Sequence, residues 1–219
     1  MPNSSGARDA ILSSIRTALR TPASTDTAAI AAEYAALPRL YKREGTMDPA
    51  ALLELFTHRL VEYDAGVSRT STENISREVA RILAERGRKH IAIPDGLPSE
   101  WLPDGFDFQN ASRFNERQLD QLEGVLTGCT VACAETGSIV LQNAAAQGPR
   151  SLTLVPDYHL CVVFAAQVVE TVPECFARLD ATAALPTTFF SGPSATADIE
   201  MTRIKGVHGP RFLDVLLVV

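Results

Sequence analysis

Three loop clusters in the C-terminal half of the chain hold the side chains best suited to chemistry. The first spans residues 134–138, where Glu135, Thr136 and Ser138 surround Gly137 ahead of an apolar run. A carboxylate beside two hydroxyls can act as a general base or as a nucleophile. It can equally cap or turn the backbone. We therefore take Glu135 as a catalytic candidate and the other three as ligand-binding candidates, with the turn role as the alternative.

The second cluster begins at Gln147 and ends at His159. Arg150, which follows the flexible Gly148, can offer its planar guanidinium to a carboxylate or a phosphate. His159 stands where a loop passes into a buried apolar run, so it is either a satisfied residue at the edge of the core or an acid–base catalyst. We expect Gln147, Gly148 and Arg150 to bind a ligand and keep His159 as a catalytic candidate.

The third cluster covers residues 191–210 and follows the apolar segment 188–190. A strand followed by Gly-Pro-Ser-x-Thr can form a backbone nest for an anion. The loop has neither the lysine of a Walker loop nor the third glycine of a dinucleotide loop, so it does not indicate nucleotide binding. His208 has glycines close by on both sides, which suits close approach of a ligand, and is a third catalytic candidate. Asp198 and Glu200 either bind ligand or cap the following segment. The binding candidates here are Gly192, Ser194, Thr196, Asp198, Glu200, Gly206 and Gly209.

Composition narrows the class of protein. The chain has 219 residues and a formal net charge of −6, and this acidic balance argues against a nucleic-acid partner. The longest apolar runs, 160–169 and 213–219, are shorter than the roughly 20 residues that a membrane helix needs. Because no secretory signal is visible either, we expect a cytoplasmic protein.

Four cysteines form no CxxC pair, so the sequence indicates neither a zinc site nor an iron–sulfur cluster in this chain. We expect no metal, and we expect the cysteines to be small buried thiols.

The N-terminal part, residues 1–46, reads as an arm. Apolar residues recur every four positions at Ile11, Ile15 and Leu19, which predicts a helix, and a Thr-, Ala- and Pro-rich linker follows at 21–45. A lone amphipathic helix must pack either on the body or on a second subunit, and the second option motivates the hypothesis of a homo-oligomer.

The body, residues 47–219, alternates helices and strands. The pattern predicts a Rossmann-like α/β domain whose mainly parallel sheet is flanked by helices, with some antiparallel pairing in the C-terminal half. Loops at strand ends should then converge on one polar pocket. The segment 98–110 reads as an irregular loop. Predicted helices cover 49–66, 72–87, 115–122 and 172–179, and predicted strands cover 67–70, 90–93, 137–142, 151–155, 160–164, 188–190 and 212–219.

Four longer stretches carry a family resemblance. They resemble, in order and spacing, the diagnostic stretches of the LUD domain, and of the lactate-utilisation protein C family in particular. They are LTGCTVACAETGSIVL, QGPRSLTLVPDYHLCVV, SGPSATADIE and GVHGPRFLDVLLV. The resemblance is strong over residues 124–219 and loose over 48–123.

The resemblance implies a fold similar to the glucosamine-phosphate deaminase, ribose-phosphate isomerase and CoA-transferase group. It also implies a role in oxidising L-lactate to pyruvate together with iron–sulfur partner proteins. This chain has no cluster-binding cysteines and no flavin or nicotinamide fingerprint, so we expect no cofactor here and clusters only in the partners. In this hypothesis the three loops bind either a small carboxylate or a partner surface. Arg150 would hold the carboxylate, and His159 or His208 would hydrogen-bond or deprotonate the substrate hydroxyl.

An alternative hypothesis is a stand-alone acyl- or CoA-transferring enzyme. The run AETG resembles the ENG nucleophile loop of CoA-transferases and places Glu135 at the nucleophile position, although Thr136 departs from that pattern. Whether the chain is itself an enzyme is left open between these hypotheses, and a purely structural interface formed by the loops is a third.

Overall fold

The chain divides into two units. The first is Met1–Tyr41 and the second is Lys42–Val219, whereas the sequence placed the boundary at residue 46. The computed structural model describes residues 4–19, 26–197, 203–206 and 208–219.

The first unit is helical. It contains α1, Ser4–Leu19, as predicted, and α2, Thr27–Ala36. The prediction of a linker was wrong at α2, because the alanine-rich run has high helix propensity and Asp26 caps it. The Asp26 carboxylate accepts hydrogen bonds from the backbone N–H of Ala28 and Ala29, both at 3.0 Å.

The second unit alternates helices and strands. Its helices are α3 (Pro49–Glu62), α4 (Ile75–Glu85), α5 (Glu116–Leu119), α6 (Arg150–Leu154) and α7 (Val172–Leu179). Its strands are β1 (Gly66–Thr70), β2 (His90–Ile93), β3 (Asp107–Asn110), β4 (Gly124–Thr127), β5 (Val131–Cys133), β6 (Ser138–Gln142), β7 (Tyr158–Phe164), β8 (Val168–Val169), β9 (Thr187–Phe190), β10 (Ala195–Ala197), β11 (Arg203–Lys205) and β12 (Phe212–Val218).

A six-stranded sheet forms the centre of the second unit, in the order β1-β12-β7-β4-β2-β3. Every neighbouring pair in it is parallel. The prediction of a mainly parallel α/β sheet is therefore confirmed. Strand β12 lies inside the sheet, between β1 and β7, although it is the last strand in chain order.

A second sheet of four strands, in the order β8-β5-β6-β9, supplies the expected antiparallel pairing. Strand β6 runs antiparallel to both β5 and β9, while β5 and β8 are parallel. Strands β10 and β11 form a separate antiparallel pair.

Apolar side chains fill the space between these layers. Phe56 and Leu60 of α3 pack with Ile139 of the second sheet and Val215 of the parallel sheet. On the opposite face of the parallel sheet, α4 contributes a further cluster. The other side of the second sheet is covered by α7, through residues such as Leu179. The layers follow in the order α4, parallel sheet, second sheet and α7.

Local sequence signals explain several element ends. Asp48 caps α3 by accepting from the N–H of Ala50 and Ala51 at 3.1 Å, and Pro49 opens the helix, as predicted. Gly87, which follows the C-cap residue Arg86 of α4, has a positive φ of 64° at the predicted stop.

Two element predictions were wrong. Residues 150–154 form the short helix α6 rather than a strand, because an apolar run of this length has no periodicity that separates the two. The supposed loop 98–110 ends in strand β3, whose polar sequence gave no strand signal and which forms by pairing with β2. Within the described residues, no helix is both long and apolar enough to cross a membrane.

Candidate functional site

The loop that follows β6 crosses the carboxyl ends of two central strands. We call residues 143–149 the crossing loop. The N–H of Ala146 donates to the carbonyl of Asp95, after β2, and the carbonyl of Ala146 accepts from the N–H of Gly128, after β4, both at 2.8 Å. The chain leaves β2 first for β3 on one side and then for β4 on the other, so this is the point where the strand order reverses. Open α/β sheets place their ligands at such a point.

A cavity of about 210 Å³ lies on the side of the crossing loop that faces the second sheet. Arg150, the first residue of α6, lines it and donates from Nη1 to the Thr188 hydroxyl at 3.0 Å. Throughout the described ranges no carboxylate pairs with this guanidinium. We call this space the Arg150 cavity. Its lining residues are Leu141, Gln142, Asn143, Gln147, Gly148, Arg150, Thr153, Pro186 and Thr188.

Gln147 and Gly148 build one wall of the Arg150 cavity. The buried Gln147 accepts, at its side-chain oxygen, from the N–H of Gln142 at 2.8 Å and from the Thr130 hydroxyl at 2.9 Å. These two bonds fix the amide while its nitrogen donates to no group among the described residues. Gly148 has a φ of 72°, and a Cβ there would lie 2.6 Å from Leu152. The three predicted residues of the second cluster therefore lie together.

The first and third clusters meet through a chain of hydroxyl groups. Ser138 lies 2.7 Å from the Thr136 hydroxyl and 2.6 Å from the Ser191 hydroxyl, oxygen to oxygen. Gly137 and Gly192 allow this approach, because both have a positive φ and sit against the backbone of α3 and of the residue that follows it. Two loops that are far apart in sequence are thus hydrogen-bonded to each other.

Ser194 organises the described part of the third cluster. Its hydroxyl accepts from the N–H of His208 at 3.0 Å, and its carbonyl accepts from the N–H of Gly206 at 2.9 Å. His208 is exposed, and Gly209 has a φ of 150°. Thr196 lies in β10. Asp198 and Glu200 fall outside the described residues.

Glu135 lies at the exposed turn between β5 and β6. Its carboxylate is 3.7 Å from the Lys42 ammonium, which also contacts the buried Glu170. Glu170 accepts in addition from the N–H of Thr46 at 2.5 Å and of Met47 at 2.8 Å. The hydrogen bond from Lys42 lowers the pKa of Glu170, so this carboxylate is a charged anchor for the segment that leads into α3.

His159 is fully buried in β7. Its Nε2 lies 2.8 Å from the Thr127 hydroxyl, and its ring packs edge-on against Phe190, with 5.5 Å between ring centroids. Its Nδ1 is buried and has no hydrogen-bond partner in the part of the chain that the structure describes. The environment matches the core-edge alternative that the sequence left open.

Strand β9 and the residues after it are the common element of all three clusters. Arg150 bonds to Thr188, His159 packs on Phe190, Ser138 bonds to Ser191, and His208 bonds to Ser194. These contacts are spread along the segment rather than gathered in one space. The loops were expected to converge on one polar pocket, but Arg150 lines the Arg150 cavity whereas the catalytic candidates Glu135, His159 and His208 do not.

A second cavity, of about 640 Å³, lies on the other side of the crossing loop, at the ends of β2 and β3. Sequence reasoning missed it, because its polar residues belong to segments without any recognisable motif. The Pro-Asp-Gly sequence at 94–96 is the one local signal there, and it indicates a turn at the end of β2. The polar lining residues are Asp95, Ser112, Arg113 and Asn143.

A six-stranded parallel sheet flanked by helices, with cavities at the carboxyl ends of its strands, defines an open α/β domain. Residues 53–218 match the family model of the LUD domain. The chain is 39% identical over 181 residues to lactate utilization protein C of Deinococcus radiodurans, which covers 81% of this chain and 84% of that protein. It is 26% identical to lactate utilization protein C of Halalkalibacterium halodurans, over 73% of this chain and 75% of that protein.

A crystal structure of a DUF162 family protein from Deinococcus radiodurans has the same fold, with a TM-score of 0.70 and 33% sequence identity. The match covers 80% of this chain and all of that chain. This chain belongs to the LUD domain family, as its sequence stretches predicted.

Proposed function

We propose that this chain works in lactate utilisation and that the Arg150 cavity binds a small 2-hydroxy or 2-oxo carboxylate. The first part is supported by the relatives, which carry the name lactate utilization protein C. The second part depends on one observation: a guanidinium without a carboxylate partner in the described chain lines a small cavity beside a fixed amide and two hydroxyls.

The lining of the cavity suits a hydroxy acid. The Arg150 guanidinium has five N–H donors and uses one for Thr188, so a parallel pair is available for a carboxylate. The Gln147 amide nitrogen and the Thr153 and Thr188 hydroxyls can bond to the substituent on the neighbouring carbon. Leu141 and Pro186 offer apolar surface to a methyl group.

In this proposal the chain binds its ligand and partner proteins carry the electrons. Oxidation of lactate to pyruvate releases two electrons and two protons, and the iron–sulfur partners implied by the family resemblance would accept the electrons. Glu135, the nucleophile of the alternative enzyme hypothesis, lies beside Lys42 and outside this cavity, so no geometric observation favours that alternative.

Titration calorimetry of the whole chain with L-lactate and with pyruvate tests the binding site. Arg150→Ala should weaken binding by about 10- to 100-fold, the worth of a hydrogen bond to a charged group. Arg117→Ala removes the same type of side chain from the exposed surface of α5 and should leave binding unchanged. Equal affinity in the wild type and in Arg150→Ala would remove Arg150 from the site.

The partners need a separate experiment. The tagged chain, purified from cells grown on lactate, should retain proteins that contain iron and acid-labile sulfide, and should lose them when the cells grow without lactate. A preparation with no iron above background under both conditions would contradict the proposed partnership while leaving the carboxylate site untouched.

A further inference from the structure

The larger cavity lies beside the point where the strand order reverses, outside the carboxyl ends of β2 and β3. At about 640 Å³ it is roughly three times the volume of the Arg150 cavity. Asp95 and Gly96 enter it after β2, and Ser112 and Arg113 enter it after β3. The crossing loop forms the remaining wall, so the same loop separates the two cavities.

Arg113 is the unused cation of this cavity. Its side chain is exposed, and it forms neither a hydrogen bond nor an ion pair within the described ranges. A guanidinium with all its donors free, at the mouth of a cavity, is suited to a planar or tetrahedral anion. Because the chain has a formal net charge of −6, it repels a polyanion more strongly than a ligand with a single phosphate.

Asp95 supplies a negatively charged hydrogen-bond acceptor to the same cavity. Its Oδ1 accepts from the Asn110 amide at 2.6 Å, and its backbone N–H donates to the Ser112 hydroxyl at 2.7 Å. Both bonds hold the turn in place, while Oδ2 accepts no hydrogen bond among the described residues. A carboxylate oxygen placed in this way at a strand end can accept from ligand hydroxyl groups.

The wall formed by the crossing loop is held in a rare conformation. Ala146 has a φ of 62°, which is unfavourable for a residue with a side chain, and its two backbone hydrogen bonds to Asp95 and Gly128 maintain it. Strained backbone of this kind is concentrated at ligand sites. Because Ala144 and Ala145 have small side chains, this wall has no bulky groups at these two positions, and a flat ring can lie against it.

We propose that this cavity binds a nucleoside monophosphate. The phosphate lies on the Arg113 guanidinium, the ribose hydroxyls donate to Asp95, and the base lies against the alanines of the crossing loop. The site uses a single cation and a carboxylate at the switch point, without a glycine-rich phosphate loop. It is separate from the third sequence cluster, and its existence does not depend on the carboxylate proposal.

Three related probes separate the contributions in calorimetric titrations of the whole chain: AMP, adenosine, and 2′,3′-dideoxy-AMP. AMP should bind more tightly than either of the others. Arg113→Ala should weaken AMP binding by about 10- to 100-fold and leave adenosine binding unchanged, because only the phosphate meets this side chain. Asp95→Asn should weaken AMP binding and leave dideoxy-AMP binding unchanged.

Arg117→Ala serves as the matched control, since it removes an exposed arginine outside the cavity. Thermal unfolding of Arg113→Ala should match the wild type, because the side chain has no described partner to lose. Wild-type protein that shows no AMP binding at millimolar concentration, or an Arg113→Ala variant that binds AMP as the wild type does, would overturn the proposal. L-lactate binding by Arg113→Ala reports on the Arg150 cavity separately.

Discussion

Replacing Asp214 by asparagine should destabilise the fold more than a comparable change at an exposed ion pair. Asp214 is buried near the amino end of β12 and accepts two hydrogen bonds from the Arg86 guanidinium, at 2.7 and 2.6 Å. The Tyr158 hydroxyl donates a third, at 2.9 Å. This cluster lies near the amino ends of β12 and β7, away from both the Arg150 cavity and the larger cavity.

The expected loss follows from the burial of each partner. Removing one member of a buried ion pair costs about 3–5 kcal/mol when the other charge is left without solvent. The Arg86 side chain is 39% exposed and can regain water, so we expect a smaller loss of about 2–3 kcal/mol for Asp214→Asn. For a chain of this length that corresponds to a decrease in Tm of about 4–12 °C.

Urea unfolding followed by circular dichroism measures this loss directly. Glu54→Gln is the matched control: Glu54 also pairs with an arginine, Arg69, at 2.8 Å, and that arginine is 40% exposed, but the Glu54 side chain is itself 69% exposed, so the variant should lose less than about 1 kcal/mol. If Asp214→Asn and Glu54→Gln lost the same free energy of unfolding, burial would not be what gives the Asp214 cluster its strength, and the reasoning would fail.

Three further predictions concern other parts of the fold. Burial raises the pKa of Tyr158 far above its usual value, and the nearby Asp214 adds to this effect. The free energy of unfolding should therefore be unaffected below pH about 10 and should fall above it, because the tyrosine then ionises only in the unfolded chain. Urea midpoints at pH 9 and pH 11 should differ more for the wild type than for Tyr158→Phe. Glu170→Gln should release the segment after Lys42, measured as faster tryptic cleavage there, and an unchanged rate would contradict the anchoring role of Glu170. Gly192→Ala should lower the Tm much more than Gly87→Ala does. Both glycines have a positive φ, but of the two only Gly192 would place its new Cβ against another residue, 2.5 Å from Tyr63. Equal decreases in Tm would refute the predicted clash.

Local signals in the sequence were sufficient for much of the fold. The Asp48–Pro49 start of α3 and the glycine after α4 are properties of short windows, and they predicted the right boundaries. The helical structure of residues 150–154 was not predicted, because a short apolar run becomes a helix or a strand according to what it packs against. Strand β3 is polar and exists through its pairing with β2, a contact that no window contains.

The candidate site divides in the same way. The glycine and arginine of the second cluster gave Gln147, Gly148 and Arg150 a recognisable context, and the structure places all three around one cavity. Arg113 and Asn143 have no motif, and they line the same cavity because the crossing loop after β6 passes over the carboxyl end of β2. Residue type can therefore suggest a binding group, whereas topology decides which groups share a ligand.

The interior position of β12 has a consequence for how the protein is made. Strand β12 separates β1 from β7, yet its residues leave the ribosome after those of every other strand in the sheet. Until β12 is made, β1 has no partner in that sheet, and the edges of β1 and β7 that β12 later joins are unpaired. Unpaired strand edges of this kind promote aggregation. A messenger truncated before codon 212 would yield a chain in this unfinished condition, which chaperones would have to hold.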